Sequence, residues 1–369
     1  MQSNIIAIGV ANPPYRRAQH EVAELICEGF QLKAAQKKAL KAIYKASGIE
    51  YRHSVIADYV KAPGDFQFFP NHYQDTFPST SERMKLYQSS ALPLALAAIN
   101  NCLSAVEEFN KKEITHLITI SCTGMYAPGI DIEIVQQLGL SPTTKRTAIN
   151  FMGCYGAFNG LKVADAFCKA EPNANVLMVC VELCSIHFQN DFSLENVISN
   201  AIFADGAAAV LVQGRPAQQK HFKLVSFHTD LVPNTEQEMA WSIGDYGFDM
   251  ILSAYVPKVI KYGISTFTEK LLSQSNWSFN DIDYYAIHPG GLKILQSCEE
   301  SLNISVEDNK YSYEVLRNFG NMSSATVLFV LKNIWDALDK SAHNKNIFSC
   351  AFGPGLTLES MLMKASFSA

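Results

Sequence analysis

No stretch of this chain is long and apolar enough to cross a bilayer as a helix. The least charged segment, residues 114–130, carries His116, several Ser and Thr, Gly124 and Pro128, whereas a spanning helix needs about 20 consecutive, mostly apolar residues. The N-terminus, MQSNIIAIGVANPP, has no basic leading region and too short an apolar run for a secretory signal, so a cytoplasmic location is expected. Basic charge is not in excess. Thirty Lys and Arg stand against 35 Asp and Glu, for a net charge of −5, which argues against a nucleic-acid binder with its usual basic patch or stripe. The nine cysteines (27, 102, 122, 154, 168, 180, 184, 298 and 350) are odd in number and scattered through apolar runs, as suits reduced, buried thiols. Their closest pair, Cys180 and Cys184, has no matching His or Cys pair elsewhere, so no metal site is expected.

What the chain does have is apolar periodicity. Of its 369 residues 48% are hydrophobic, enough for a large core. Residues 21–48 and 83–110 are rich in Ala, Leu, Lys and Glu at helical spacing, and residues 61–81 carry three prolines and five aromatics without regular period, which reads as a long ordered surface loop. Strands are expected over 116–121, 175–181, 207–212, 284–287 and 356–363. Most are apolar on both faces, as in a sheet covered by helices on each side, and their alternation with helices indicates an α/β fold.

The chain also repeats itself. A first unit runs from the strand 116–121 through a loop with Cys122 to Ala148-Ile-Asn-Phe-Met-Gly-Cys154, which opens a helix. A second runs from the strand 284–287 through a loop with His288 to Val315-Leu-Arg-Asn-Phe-Gly-Asn321, which opens another. Cys154 follows Cys122 by 32 positions and Asn321 follows His288 by 33. Both units then end in a Phe-x-x-Gly turn before a strand, Phe203-Ala-Asp-Gly206 and Phe352-Gly-Pro-Gly355. This predicts two duplicated halves, 1–215 carrying the cysteine and 216–369 carrying the histidine and asparagine, with a site where equivalent loops meet.

Three residues in those loops carry chemistry. Cys154, at the start of a buried helix, would meet free N–H groups and a dipole that stabilise a thiolate and an oxyanion; the competing reading is a thiol buried as a small hydrophobe. His288 ends an apolar strand before Pro289-Gly290-Gly291, where a ligand can approach; it reads otherwise as a hydrogen-bonded structural histidine. Asn321 precedes the apolar helix 325–335 and reads otherwise as its N-cap. The duplicated placement favours the joint functional reading.

Four stretches resemble the chalcone synthase superfamily of type III polyketide synthases: Ile8-Gly-Val-Ala-Asn-Pro-Pro14, His288-Pro-Gly-Gly291, Gly320-Asn-Met-Ser-Ser-Ala325 and Phe352-Gly-Pro-Gly-Leu-Thr357. The segment Trp241-Ser-Ile-Gly-Asp-Tyr-Gly-Phe-Asp-Met-Ile-Leu-Ser253 resembles the bacterial rather than the plant branch. The resemblance spans roughly residues 5–365. It implies the thiolase fold, five layers αβαβα from two similar halves, a homodimer, coenzyme A thioester substrates (malonyl-CoA and an acyl-CoA starter), and no metal or redox cofactor. It implies Cys154 as acylated nucleophile, with His288 and Asn321 hydrogen-bonding the thioester carbonyl, and Phe203 as a gatekeeper aromatic. The family's second gatekeeper falls at Met250, with Phe248 two residues away. Cys122, Cys184, His187, Ser199, Ala204, Ser323 and Pro354 fall at cavity positions, and Lys45 and Arg52 resemble the basic residues that hold coenzyme A phosphates. A methionine that crosses the plant dimer stands here as Ala127.

The expected activity is iterative decarboxylative condensation of malonyl-CoA onto an acyl-CoA, preferably fatty acyl, closing to an alkylpyrone, an alkylresorcinol or a related aromatic. A single-round priming ketosynthase using a carrier protein is the nearest alternative, and a non-catalytic thiolase-like partner subunit a third. A papain-like protease shares the Cys, His, Asn order, but not the local motif or its place near the N-terminus.

Overall fold

The computed structural model describes residues 2–72, 75–217, 219–253 and 255–367. The chain opens with β1 (Asn4–Ala11). A ribbon of β2 (Tyr15–Ala18) and β3 (Tyr51–Ser54) then brackets α1 (Gln19–Gly29) and α2 (Ala34–Ala46). The first half continues through α3 (Thr80–Leu103), β4 (His116–Ser121), α4 (Ile130–Leu138), β5 (Lys145–Asn150), α5 (Gly156–Ala170), β6 (Asn175–Leu183), α6 (Leu194–Ile202) and β7 (Asp205–Gln213). The second half comprises β8 (His221–Leu231), the hairpin β9 (Met239–Gly244) and β10 (Gly247–Leu252), α7 (Val256–Ser273), β11 (Tyr284–Ile287), α8 (Leu292–Leu302), α9 (Lys310–Phe319), α10 (Thr326–Ala337), β12 (Asn346–Gly353) and β13 (Thr357–Ser366).

The strand order is β5-β4-β6-β7-β1 followed by β8-β13-β12-β11. Read outward from the centre, β1-β7-β6-β4 and β8-β13-β12-β11 match position for position. The two runs are joined where Asn4 and Ile5 of β1 pair with Lys223 and Phe222 of β8. β5 is the extra edge strand of the first half, and the second half has a helix, α9, at that point in the chain.

Strand alternation builds the layers. In the first half-sheet Ile118, Ile120, Met178 and Val210 face α5 and α10, and Leu117, Leu177, Val179 and Leu211 face α3 and α4. In the second, Ile347, Met361 and Met363 join the same central cluster as α5 and α10, while Phe348, Cys350 and Leu362 pack on α7 and α8. The result is helix, sheet, helix, sheet, helix. The close approach of β1 to α3 depends on Gly9, where a Cβ would lie 2.2 Å from the backbone nitrogen of Cys102.

Several boundaries differ from expectation. The helix read over 21–48 is two helices, broken at 30–33, where Phe30 and Leu32 turn inward to pack with Val22 and Ile26, and Gln31 has φ 50°. The helix read over 83–110 begins at Thr80, capped by Ser79 and Glu82, and ends at Leu103. The segment 61–81 is not merely surface. Phe66 and Phe69 are buried, and the Asp58 carboxylate accepts the amides of Gln67, Phe68 and Phe69 at 2.7–2.9 Å; Tyr73 and Gln74 lie outside the described residues. The segments leading to Cys154 and Asn321 are also not equivalent, because the first follows a strand, β5, and the second a helix, α9.

Candidate active site

Cys154 sits in a single 3₁₀ turn, Gly153–Tyr155, directly before α5. The turn needs left-handed backbone at Phe151 (φ 59°) and Gly153 (φ 74°), and a Cβ on Gly153 would meet Pro354 at 2.2 Å, so only glycine serves there. Asn321 lies before the corresponding helix α10. Its side-chain oxygen accepts the Ser323 N–H at 2.9 Å and the Thr326 hydroxyl at 3.3 Å. That leaves the amide NH₂ facing the Gly290 carbonyl at 3.3 Å and the Cys154 Sγ at 3.9 Å. The Asn321 amide therefore presents a donor, in a fixed orientation, beside the thiol.

His288 follows β11, its backbone N–H bonded to the Cys350 carbonyl at 2.8 Å. The side chain is 1% exposed, and neither ring nitrogen has a hydrogen-bond partner among the described residues. Buried polar groups are normally paired, so an imidazole left open in a cavity is a group waiting for a ligand. Burial pushes its pKa down to about 3. Burial also pushes the Cys154 thiol up to about 12, against hydrogen bonds from Ser323 and Asn321 that lower it. Burial thus favours the neutral forms of both the thiol and the imidazole, with the Asn321 amide donor beside them.

These residues open onto one cavity of about 400 Å³. Of the sequence-derived candidates, Cys122, Cys184, Ser323, Pro354, Phe203 and Met250 line it together with Cys154, His288 and Asn321. Phe203 and Met250 also border a second chamber of about 40 Å³, lined by His187, Ser199 and Phe248, which do not reach the main cavity. Ala204 is fully buried and lines neither. Lys45 is exposed on α2, whose Ile43 and Ala46 line the main cavity. Ala127 is exposed. Arg52 requires correction as a phosphate-binding candidate: it is 1% exposed, and its guanidinium is bonded to Gln19, Asn200 and Phe203.

His187 is a clamp between the two chambers. Its Nε2–H donates to the Thr123 carbonyl at 2.7 Å and its Nδ1 accepts the Phe248 N–H at 3.0 Å. The ring stacks on Phe248 at 4.2 Å, and burial holds it neutral, with a pKa near 3. Trp241 packs edge-on against both rings and donates its indole N–H to the Cys122 carbonyl at 2.7 Å. The hairpin β9–β10 is thereby fastened to the loop that follows β4.

Sequence reasoning passed over Trp241 as a site residue and missed Glu182. This carboxylate lies one residue before the end of the fully buried strand β6 and accepts from the Cys122 N–H (3.0 Å), the Thr123 hydroxyl (2.8 Å) and the Ser324 hydroxyl, so it ties the Cys122 loop to the loop carrying Asn321. The available signal was a lone acid closing an apolar run. Burial raises its pKa to about 7. The folded state then keeps a proton that the unfolded state loses near the ordinary carboxylate pKa. Its stabilising contribution is full below about pH 4.5 and is lost as pH rises through 7, a swing of up to about 3 kcal/mol at 1.4 kcal/mol per unit. Glu182→Gln is therefore expected to gain stability relative to the native protein between pH 5 and pH 8. Denaturant titrations at both pH values check this, and parallel changes in the two proteins would refute it.

Among the described residues no helix is long and apolar enough to cross a membrane. Two family models cover the chain. The chalcone and stilbene synthase N-terminal domain matches residues 2–216 and the C-terminal domain residues 223–366. The alpha-pyrone synthesis polyketide synthase-like Pks18 of Mycobacterium tuberculosis is 34% identical, over 96% of this chain and 89% of that protein. A putative chalcone synthase of Bacillus subtilis is 31% identical, over 97% of each. The chain spans only 11% of a third relative, the probable polyketide synthase 1 of Dictyostelium discoideum, at 31% identity over 98% of this chain. The crystal structure of PKS-I from the brown alga Ectocarpus siliculosus superposes with a TM-score of 0.91 at 30% identity, covering 98% of both chains. With family models over both halves and a fold shared along its whole length, the chain belongs to the chalcone and stilbene synthase family: it is a type III polyketide synthase, a condensing acyltransferase with the thiolase fold.

Proposed function

We propose that this synthase extends an aliphatic acyl-CoA with malonyl-CoA and releases an alkylpyrone. The observation that carries the reading is the convergence of the Cys154 thiol, the fixed Asn321 amide donor and the unpartnered His288 imidazole on one cavity. The rest of its lining is largely apolar, including Ile198, Ile202, Met239, Leu252 and Val256.

In the loading step the Cys154 sulfur bonds to the starter carbonyl while His288 takes the thiol proton in the same motion, so that no separate ion pair has to form first, and coenzyme A leaves with that proton. Malonyl-CoA then binds with its thioester oxygen between His288 Nε2–H and the Asn321 amide. Breaking the carbon–carboxylate bond releases CO₂ and leaves the electron pair on an enolate whose oxygen these donors hold. A histidine kept neutral by burial can act as such a donor without carrying charge itself. Phe203 excludes water and sets an apolar face beside the carboxylate. The enolate carbon then attacks the Cys154 thioester; a carbon–carbon bond forms and the thiolate leaves. After further rounds an enol oxygen closes on the terminal thioester carbonyl, expelling coenzyme A and giving a pyrone. The name of the mycobacterial relative supports pyrone release.

The apolar walls of this cavity of about 400 Å³ suit an aliphatic acyl chain. We also propose that the protein is a cytoplasmic homodimer and works without a metal or redox cofactor.

Purified protein given malonyl-CoA and starters from acetyl-CoA to palmitoyl-CoA is expected to yield pyrone masses that incorporate an aliphatic starter. A product seen only when acyl carrier protein is supplied would overturn the reading in favour of a priming ketosynthase. Absence of product under both conditions would favour an inactive partner subunit.

A further inference from the structure

A helix leaves its last four carbonyls without intrahelical partners. At the end of α6 each of those oxygens, and the one that follows, has a dedicated donor where the helix delivers Phe203 to the cavity. The Asn200 carbonyl accepts from the Tyr44 hydroxyl at 3.0 Å and from Arg52 Nη1 at 2.7 Å. Ala201 accepts from Gln19 Nε2 at 2.7 Å, and Ile202 accepts from the backbone N–H of Asn321 at 2.8 Å. Phe203 accepts from Arg52 Nη1 at 2.7 Å, and Ser199 from the Phe203 N–H at 3.1 Å. The Ala204 N–H then donates to the Asn321 carbonyl at 2.9 Å, so Phe203 and Asn321 are bridged neighbours although they belong to different halves.

Arg52 is the hub of this arrangement. Its Nε donates to Gln19 Oε1 at 2.8 Å, which in turn fixes the Gln19 amide on Ala201. Its stem lies against Gly320, where a Cβ would come within 3.2 Å of Arg52 and 2.9 Å of the Ile202 carbonyl. Among the described residues it forms no ion pair within 4.0 Å. Its buried charge is offset by the negative end of a helix, where cations are favourable, and further by the Tyr44 ring face at 5.5 Å and the buried Asp205 carboxylate, whose pKa burial raises and the guanidinium lowers. Its Nη2 has no hydrogen-bond partner among the described residues, and the residue borders the small second chamber, but at 1% exposure the guanidinium is turned away from bulk solvent, where a coenzyme A phosphate would lie.

We infer that Arg52 is a positioning residue: it caps α6 and so holds Phe203 in register with Asn321. The inference rests on the proposed roles of Phe203 as gate and Asn321 as enolate donor. Arg52→Lys replaces a planar fork with one ammonium, whose single nitrogen cannot stand both where Nε meets Gln19 and where Nη1 meets Asn200 and Phe203.

The test measures malonyl decarboxylation with malonyl-CoA and with malonyl-N-acetylcysteamine, which carries no phosphate. Arg52→Lys is expected to lower kcat with both thioesters by about tenfold to a hundredfold, the cost of a displacement of about 1 Å, with KM and the rate of Cys154 alkylation by iodoacetamide unchanged. Combined with Phe203→Leu, it is expected to add little to that variant's own loss, because both act through one side chain. Gln19→Ala, which keeps the guanidinium but removes its anchor, is expected to lower the same kcat several-fold, and it serves if Arg52→Lys does not fold. A loss confined to malonyl-CoA and expressed in KM would make Arg52 a phosphate ligand and overturn the inference. So would additive losses with Phe203→Leu, or an unchanged kcat in Gln19→Ala. Native protein that decarboxylates neither thioester would instead overturn the underlying reading of the site.

Discussion

Cys154→Ala is expected to abolish chain extension while malonyl-CoA is still decarboxylated. The two activities separate because their groups are separate. The enolate oxygen is held by the Asn321 amide and the His288 imidazole. The Asn321 amide is oriented by Ser323 and Thr326, and His288 is held through its backbone bond to Cys350; neither anchor involves the Cys154 sulfur. Removing that sulfur leaves both in place and takes away only the atom that stores the acyl chain. Mass spectrometry should find acetyl-CoA accumulating from malonyl-CoA, no ketide product, and no acyl adduct on the protein. Extension that survives in this variant would refute the assignment of the nucleophile, and neither Cys122 nor Cys184 offers a substitute. Both line the same cavity, and burial and the Glu182 carboxylate raise all three thiols, but only Cys154 has the Ser323 and Asn321 side chains beside it to lower its pKa. Cys122 is also engaged with the Gly153 N–H, at 2.9 Å.

Much of this arrangement is legible in the sequence because it depends on local pattern. β6 and β7 read as unbroken apolar runs since both of their faces are covered. The turn before α5 advertises itself through Gly153, and the repeat through His288 and Asn321. The sequence is less informative where a partner is remote. Arg52, next to the half-exposed Tyr51 and His53, resembles a surface cation; the carbonyls that bury it lie 148 and 151 positions away. Glu182 looks like a strand end until Thr123 and Ser324, 59 and 142 positions off, close on it. The break between α1 and α2 was hidden for a different reason. Phe30 and Leu32 continue the helical apolar pattern, so only the tertiary cluster they enter shows that the chain turns there.

The second large effect is expected at the two donors. Asn321→Ala or His288→Ala should each lower decarboxylation by about a hundredfold to a thousandfold, the usual loss of one oxyanion donor, or roughly 3–4 kcal/mol. Extension should fall by at least as much, because it needs the enolate. Asn321→Asp separates donation from packing. The side chain keeps its size, and the Ser323 N–H and Thr326 hydroxyl would still anchor one oxygen. The other oxygen would then face the developing enolate as an acceptor, or as a like charge, in place of an N–H. If Asn321 acts by donation, Asp should be no better than Ala and should worsen as pH rises and the carboxyl ionises. If it acts only by filling space, Asp should retain most of the native rate. Binding of free coenzyme A, measured by calorimetry, should be unaffected in all three variants. The expected loss is therefore in kcat for decarboxylation, and a loss confined to KM would remove both residues from the chemistry.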